Sequence, residues 1–106
     1  LRATLDYLDV RCDEIRTMGG GALSPLWCGI KADMCGRRLV TLKNTDTACL
    51  GAAILGGVGV GLFPLVEEAC DRIVATDREY IPEPSAASEA AYRAYVAADD
   101  RIYPQA

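Results

Sequence analysis

A run of three glycines between two dissimilar segments is the part of this sequence best suited to chemistry. Residues 18–25 read Met-Gly-Gly-Gly-Ala-Leu-Ser-Pro. Glycine accepts positive φ angles and lets a ligand approach the backbone closely. Ser24 and Pro25 are favoured at the start of a helix, where free N–H groups and the helix dipole attract anions. The spacing therefore predicts a loop suited to phosphate, with a plain tight turn as the alternative.

This loop matches neither of the two common glycine-rich phosphate motifs. No Gly-Lys-Ser/Thr follows it, and Ser24 stands where a Gly-x-Gly-x-x-Gly motif would place its third glycine. The motif alone therefore leaves both the ligand loop and the simple turn open.

The titratable residues do not form a recognisable catalytic set. The chain contains no histidine, which excludes a Ser-His-Asp triad, a Cys-His pair and histidine-ligated zinc. Asp33 has no partner for general acid–base work, and Asp46 is best explained as the N-cap of the next helix. The residues alone therefore indicate no carboxylate pair for general acid–base catalysis.

The cysteines favour a reduced, metal-free protein. Five is an odd number, their spacing is irregular and no Cys-x-x-Cys pair is present, so neither a disulfide framework nor a zinc ribbon is expected. They are Cys12, Cys28, Cys35, Cys49 and Cys70. Cys28 and Cys35 are seven residues apart, so on a helix they share a face and are expected to be small buried hydrophobes.

The elements around the glycines predict a βαβ unit. A strand over Glu14–Met18 enters the loop, and a second strand covers Leu39–Leu42. Between them a helix begins at Ser24 and ends at Gly36, a favourable C-terminal cap. This order predicts parallel pairing of the two strands. An apolar stripe on the helix is expected to face the core rather than a ligand, and it comprises Leu26, Trp27, Ile30 and Met34.

Twenty residues without charge, Thr47–Val66, follow the second strand. Their length could span a bilayer, and Gly57 and Gly61 form a Gly-x-x-x-Gly pair. Five glycines dilute the hydrophobicity, however, and Pro64 closes the stretch. We therefore predict a helix of about three turns from Thr47, buried on all sides, and keep the membrane segment as an alternative.

The flanking segments are predicted to be mainly helical. Helices are expected over Leu1–Cys12 and Pro64–Cys70, with a short extended segment over Arg72–Thr76. Two prolines make Tyr80–Pro84 irregular or extended. Ser85 opens a last helix to about Tyr103, with a stripe that should dock on the rest of the domain, formed by Tyr92, Tyr95, Val96, Asp99 and Tyr103.

Composition predicts one small folded domain. The 106 residues are 51% hydrophobic and 25% charged, which excludes intrinsic disorder. The net charge of −4 and the absence of a basic patch make nucleic-acid binding unlikely as a role.

Four blocks of the sequence resemble the FGGY carbohydrate kinases, most of all their xylulokinase-like branch. Ile15–Trp27 is similar to the family's Gly-Gly-Gly-Ala-x-Ser-x-x-Trp segment, and Ala32–Arg37 to its Ala-Asp-x-x-Gly segment. Asp46–Gly59 is similar to its Glu-x-x-Ala-Leu-Gly-Ala-Ala helix, and Tyr80–Pro84 to its Tyr-x-Pro-x-Pro ending. The blocks occur in the family's order and cover nearly the whole chain.

The resemblance implies an α/β fold, a partial ribonuclease H-like (actin-like ATPase) domain with a βαβ unit, a buried glycine-rich helix and a C-terminal helix. It implies a cytoplasmic enzyme that transfers the γ-phosphoryl group of ATP, with Mg²⁺, to a hydroxyl of a sugar or polyol such as the ketopentose xylulose. Residues 1–106 would form the C-terminal part of the nucleotide-binding domain. The residues carried over as ATP or ADP contacts are Gly19, Gly20, Gly21, Ala22 and, by its place in the motif, Ser24.

Several positions depart from the family pattern. Leu23 stands where many relatives have Lys or Arg, so a charged contact with the nucleotide is missing there. Cys28 replaces a more common polar or basic residue, Asp46 replaces Glu, and Cys49 replaces Ala. No residue matches the family's catalytic aspartate, which lies in an upstream segment, so the resemblance implies no catalytic residue within this sequence.

The resemblance covers only the last part of the C-terminal domain. We expect the sugar to be bound mainly by an N-terminal part outside this sequence, and this chain alone to be inactive. A sheet with only two strands would leave an unpaired edge and an exposed apolar face. The sequence therefore predicts either a piece of a longer protein or a self-associating, homo-oligomeric chain, without membrane or nucleic-acid partners. A non-catalytic interaction module of the same ancestry is the alternative function.

Overall fold

A computed structural model describes residues 1–103 and arranges them around a three-stranded sheet. Residues 104–106, the end of the predicted domain, lie outside the described residues. In chain order the elements are α1 (Arg2–Tyr7), β1 (Glu14–Thr17), a 3₁₀ helix (Gly20–Leu23), α2 (Pro25–Cys35), β2 (Arg38–Leu42), α3 (Thr47–Gly59), α4 (Val66–Ile73), β3 (Thr76–Tyr80) and α5 (Ala86–Ile102).

The predicted βαβ unit is confirmed. β1 and β2 pair in parallel, from Glu14 opposite Arg38 to Thr17 opposite Thr41. Their crossover helix α2 begins where Ser24 accepts a hydrogen bond from the Trp27 N–H, and it ends at Gly36 in the left-handed conformation with φ 60°. Both helix ends therefore form by the local chemistry that the sequence indicates.

The third strand differs from the prediction. The extended segment expected over Arg72–Thr76 is displaced, because α4 continues to Ile73 and β3 occupies Thr76–Tyr80. β3 pairs antiparallel with β2 and forms an edge of the sheet. Its sequence, Thr-Asp-Arg-Glu-Tyr, lacks the apolar alternation that marks a half-buried strand, and charge is common on edge strands.

The core is small and contains Cys28 of α2, as expected, but not the apolar stripe of that helix. Cys28, Ala32 and Leu39 are fully buried, with Ile15 and Tyr80 packed against them. The prediction that the apolar stripe of α2 faces the core is wrong, since Leu26, Trp27 and Ile30 are exposed. Small side chains four residues apart let α2 lie close to the sheet, which places the larger side chains on its outer side.

The glycine-rich helix forms where predicted but is not buried on all sides. Asp46 caps α3 by accepting from the Cys49 N–H at 3.2 Å, and Ile54 is the only residue of α3 that is fully buried. Among the described residues α3 packs mainly on α4, so most of its surface has no covering layer. Within residues 1–103 no helix is long and apolar enough to cross a membrane.

The terminal helices contact each other through a charged pair. α1 is shorter than the predicted Leu1–Cys12, and its Arg2 lies 2.8 Å from a carboxylate oxygen of Glu89 in α5. α5 starts at Ser85 as predicted, but its apolar stripe docks only in part. Tyr92 is half-buried, whereas Tyr95 and Tyr103 are each about two-thirds exposed, at 65% and 67%.

The remaining helix, α4, begins two residues later than the predicted Pro64. Val66 is its first residue, and Glu67 and Glu68 lie in its first turn, where the helix dipole favours negative charge.

Candidate functional site

The candidate site lies at the carboxyl ends of β1 and β2. Because these strands are parallel, both end at the same edge of the sheet, and α2 and α3 both begin near it. The hydroxyl of Thr47, the first residue of α3, lies 3.0 Å from the sulfur of Met18, just before the glycines. Ligands of α/β proteins commonly bind outside this edge of a parallel sheet.

The structure accounts differently for the presence of glycine at each of the three loop positions. Gly19 has a φ of 74°, so its backbone conformation favours glycine. Gly20 and Gly21 begin the 3₁₀ helix without a positive φ, and a Cβ at Gly20 would meet no atom of the described residues within 4 Å. A tight turn therefore explains Gly19 but not Gly20, whose missing side chain leaves an open backbone surface.

The other two predicted binding residues support the loop. Ala22 is buried, and its N–H donates to the Gly19 carbonyl at 3.0 Å. The Ser24 oxygen accepts from the Trp27 N–H at 3.3 Å, which is an N-cap contact. Of the five predicted residues, the structure thus exposes the three glycines and gives Ala22 and Ser24 a structural contact each.

Cys28 lies beneath the loop, a role that the sequence alone does not indicate. Its thiol lies 3.6 Å from the Gly21 carbonyl and 3.7 Å from the Ala22 carbonyl, as a weak hydrogen-bond donor to both. In the fold this small, fully buried side chain fixes the back of the loop.

Lys31 and Trp27 lie beside the glycines and were not predicted as site residues. The Lys31 ammonium donates to the Thr17 hydroxyl at 3.0 Å, at the end of β1, and lies 5.9 Å from the centroid of the Trp27 ring. Trp27 is half exposed, and a Cβ added at Gly21 would lie 3.4 Å from its ring. The i, i+4 spacing of Trp27 and Lys31 on a helix is the sequence signal that could have paired them.

The two aspartates of the motifs have structural contacts. Asp46 caps α3, as predicted, and Asp33 accepts from the Glu83 N–H at 2.8 Å, which ties α2 to the segment before α5. Within residues 1–103 no group of three or more Asp, Glu or Cys residues is placed to bind a metal ion.

A cluster of ion pairs lies at the opposite edge of the sheet. Arg38 bridges Glu14 on β1 and Glu79 on β3. A hydrogen bond from Arg16, supported by the charge of Arg38, keeps the pKa of Glu14 below its usual range. These pairs tie the three strands together at the amino end of β1, away from the glycines.

Comparison with known proteins identifies the class. A family model for the C-terminal domain of the FGGY family of carbohydrate kinases matches residues 1–60. An autoinducer-2 kinase of Yersinia pestis (strain Pestoides F) is 36% identical over 77 residues, 73% of this chain and 14% of that protein. The autoinducer-2 kinase of Yersinia pseudotuberculosis serotype O:1b (strain IP 31758) matches equally well.

Solved structures agree on the fold. A xylulose kinase from Lactobacillus acidophilus superposes with a TM-score of 0.69 at 22% identity, over 88% of this chain and 18% of that one. A gluconate kinase from the same organism gives a TM-score of 0.68 at 22% identity, with the same coverage. The chain belongs to the FGGY family of carbohydrate kinases. It spans about one seventh of the length of the curated relatives that it matches.

Proposed function

We propose that this chain forms the nucleotide-binding part of an ATP-dependent sugar kinase. The observation that carries the proposal is the exposed backbone at Gly20, for which the chain's own packing gives no reason. This backbone lies at the carboxyl ends of parallel strands, where ligands of α/β proteins commonly bind. Because the chain belongs to a kinase family, a phosphate group is the ligand that the exposed glycine backbone suits best.

In this proposal the chain's own residues bind and orient, and they perform no chemistry. The glycine loop fixes the position of the phosphates, Cys28 supports the loop from below, and the caps at Ser24 and Asp46 fix the starts of the two adjoining helices. Phosphoryl transfer depends largely on such positioning. Mg²⁺, which neutralises charge on the transferred phosphate, would be bound chiefly by the phosphates and water.

We propose further that residues 1–106 are part of a larger nucleotide-binding domain. The radius of gyration is 17.4 Å, whereas a compact domain of this length has about 13 Å. Large apolar side chains are exposed along and after α3, among them Leu55, Val60 and Leu62. Additional strands or helices packed on this surface would remove it from water.

The phosphoryl acceptor is proposed as a ketopentose such as xylulose. The resemblance of the sequence blocks to the xylulokinase-like branch supports this choice. Relatives named for autoinducer-2 and gluconate make those compounds the natural comparison. ADP formation by the full-length protein, measured separately with D-xylulose, D-gluconate and autoinducer-2, tests the choice, and a higher kcat/KM for either of the latter two would contradict it.

The nucleotide-binding role is tested by Gly20→Val in the full-length protein, with ADP affinity measured by isothermal titration calorimetry. The added side chain meets open space in the fold, so the variant should fold normally, yet it should occupy the space of the phosphates. We expect ADP affinity to fall by about tenfold or more, a change of about 1.4 kcal/mol.

Gly29→Val is the matched control. It makes the same chemical change on α2, where a Cβ also meets nothing within 4 Å. It should leave ADP affinity unchanged, and circular dichroism should confirm the fold of both variants. Unchanged ADP affinity in Gly20→Val would contradict the role of the loop. A wild-type protein that does not bind ADP would favour the non-catalytic interaction module.

A further inference from the structure

We propose that Lys31 supplies the positive charge that binds the nucleotide's phosphates beside the glycine loop. This inference rests on the proposed function and assigns a charged contact in the same site. Leu23, within the loop, carries no charge and cannot make such a contact. The structure offers a cation from another position, two turns along α2.

The position of the ammonium group is the first argument. Lys31 extends back along α2, and its Nζ donates to the Thr17 hydroxyl at 3.0 Å, where β1 ends and the loop begins. The same Nζ would lie 3.8 Å from a Cβ placed on Gly21. The charge is therefore adjacent to the backbone that the proposed function assigns to phosphate.

The second argument is that no carboxylate of the described residues competes with a phosphate for the Lys31 ammonium. Most of the arginines that the structure describes are engaged by carboxylates, for example Arg2 by Glu89 and Arg38 by Glu79. Within residues 1–103 no carboxylate forms an ion pair with Lys31. A lysine ammonium has three donor hydrogens, and the Thr17 hydroxyl uses one of them. Two remain for an anionic ligand.

The restraint on the side chain is the third argument. The Thr17 hydroxyl and the face of Trp27 fix the end of a lysine that would otherwise sample many rotamers. Lys31 is half-buried, so part of its side-chain entropy is already lost before a ligand arrives. A charge fixed in advance binds a phosphate with a smaller ordering cost than a mobile one.

The test compares ADP with adenosine, which shares the base and sugar but has no phosphate. In Lys31→Met, measured by calorimetry on the full-length protein, ADP affinity should fall by about tenfold or more, because a charge-assisted hydrogen bond is lost. Adenosine affinity should not change. Lys31→Arg should retain most of the ADP affinity, and Lys31→Gln should behave like Lys31→Met.

Lys43 provides the matched control. It is an exposed lysine directly after β2, at the same edge of the sheet, and its side chain makes no hydrogen bond within residues 1–103. Lys43→Met removes the same unit of charge, so it should change ADP affinity by less than about twofold, as expected for a solvent-screened charge.

The outcomes separate the possible explanations. An equal loss of ADP and adenosine affinity in Lys31→Met would make Lys31 a structural residue that only holds Thr17, and unchanged ADP affinity would remove it from the site. Either result overturns the inference while the proposed function stands. A wild-type protein that binds neither ligand would overturn both. An adenosine affinity that stays at the wild-type value also shows that the variant is folded.

Discussion

At the scale of single residues, Thr41 shows how one hydroxyl can replace part of a strand ladder. Thr41 is buried on β2, at the point where the pairing with β3 shifts register between Val40 and Leu42. Its Oγ1 accepts from the Arg78 N–H at 3.1 Å and approaches the Arg78 carbonyl at 3.4 Å as a donor. The side chain thus satisfies backbone groups that the irregular ladder leaves without partners.

Replacing Thr41 with valine should destabilise the fold without changing its shape. Valine has nearly the same volume but cannot accept from the Arg78 N–H, so the free energy of unfolding should fall by about 1–2 kcal/mol. Urea denaturation followed by circular dichroism measures the change. Thr76→Val, at an exposed position of β3, is the control and should have an effect within about 0.5 kcal/mol. Equal effects of the two substitutions would show that the Thr41 hydroxyl does not stabilise the bulge.

The residues that the sequence identifies correctly are those whose role depends on near neighbours. Ser24 and Asp46 cap their helices by contacts within three residues, and Gly36 ends α2 by its own backbone angle. Cys28 and Lys31 could not be placed in the same way. Their partners, the Gly21 carbonyl and the Thr17 hydroxyl, come close only after the loop has folded back over α2.

At the scale of elements, the same distinction separates the ends of a helix from its faces. The starts of α2, α3 and α5 were predicted to the residue, because capping is local chemistry. The buried faces were predicted only in part, because burial depends on what packs against the helix: Cys28 is buried as expected, but the apolar stripe of α2 is exposed. α2 turns Cys28 and Ala32 to the sheet, and α3 has only a short neighbour among the described residues.

Replacing Gly29, inside α2, and Gly36, at its C-terminal cap, with alanine should change the free energy of unfolding in opposite directions. Gly36 adopts φ 60°, where a Cβ is strained, so Gly36→Ala should lower the free energy of unfolding by about 1 kcal/mol. Gly29 lies inside α2 with open space around its Cα, so Gly29→Ala should raise that free energy by about 0.5–1 kcal/mol. Thermal unfolding of both variants measures the pair. A stabilising Gly36→Ala would contradict the left-handed cap.

At the scale of the whole molecule, few contacts join the outer helices to the sheet. The dimensions are 52 × 33 × 24 Å, and among residues 1–103 the fully buried cluster has three members, which are Cys28, Ala32 and Leu39. Because so little apolar surface is buried, individual polar contacts between distant segments matter more than they would in a compact domain. The contact of Arg2 with Glu89 joins residues 87 apart in sequence, and Arg2 also lies 4.2 Å above the ring of Tyr92.

This contact predicts how stability depends on pH. The hydrogen bond from Arg2, with the added charge of Arg93, keeps the pKa of Glu89 below its ordinary value. A carboxylate with a lowered pKa in the folded state stabilises fully above the unfolded value, about 4.3 for glutamate, and loses its effect as pH falls through the folded pKa. Thermal unfolding should therefore show Glu89→Gln less stable than wild type at pH 7, with the difference shrinking below about pH 4.

Glu83→Gln is the control, since within residues 1–103 its carboxylate forms no ion pair, and it should keep the wild-type pH profile. If Glu89→Gln also kept that profile, the charge of Glu89 would not contribute to joining the two ends of the chain, and the other contacts of Arg2, its hydrogen bond to the Met34 carbonyl and its packing on Tyr92, would hold α1.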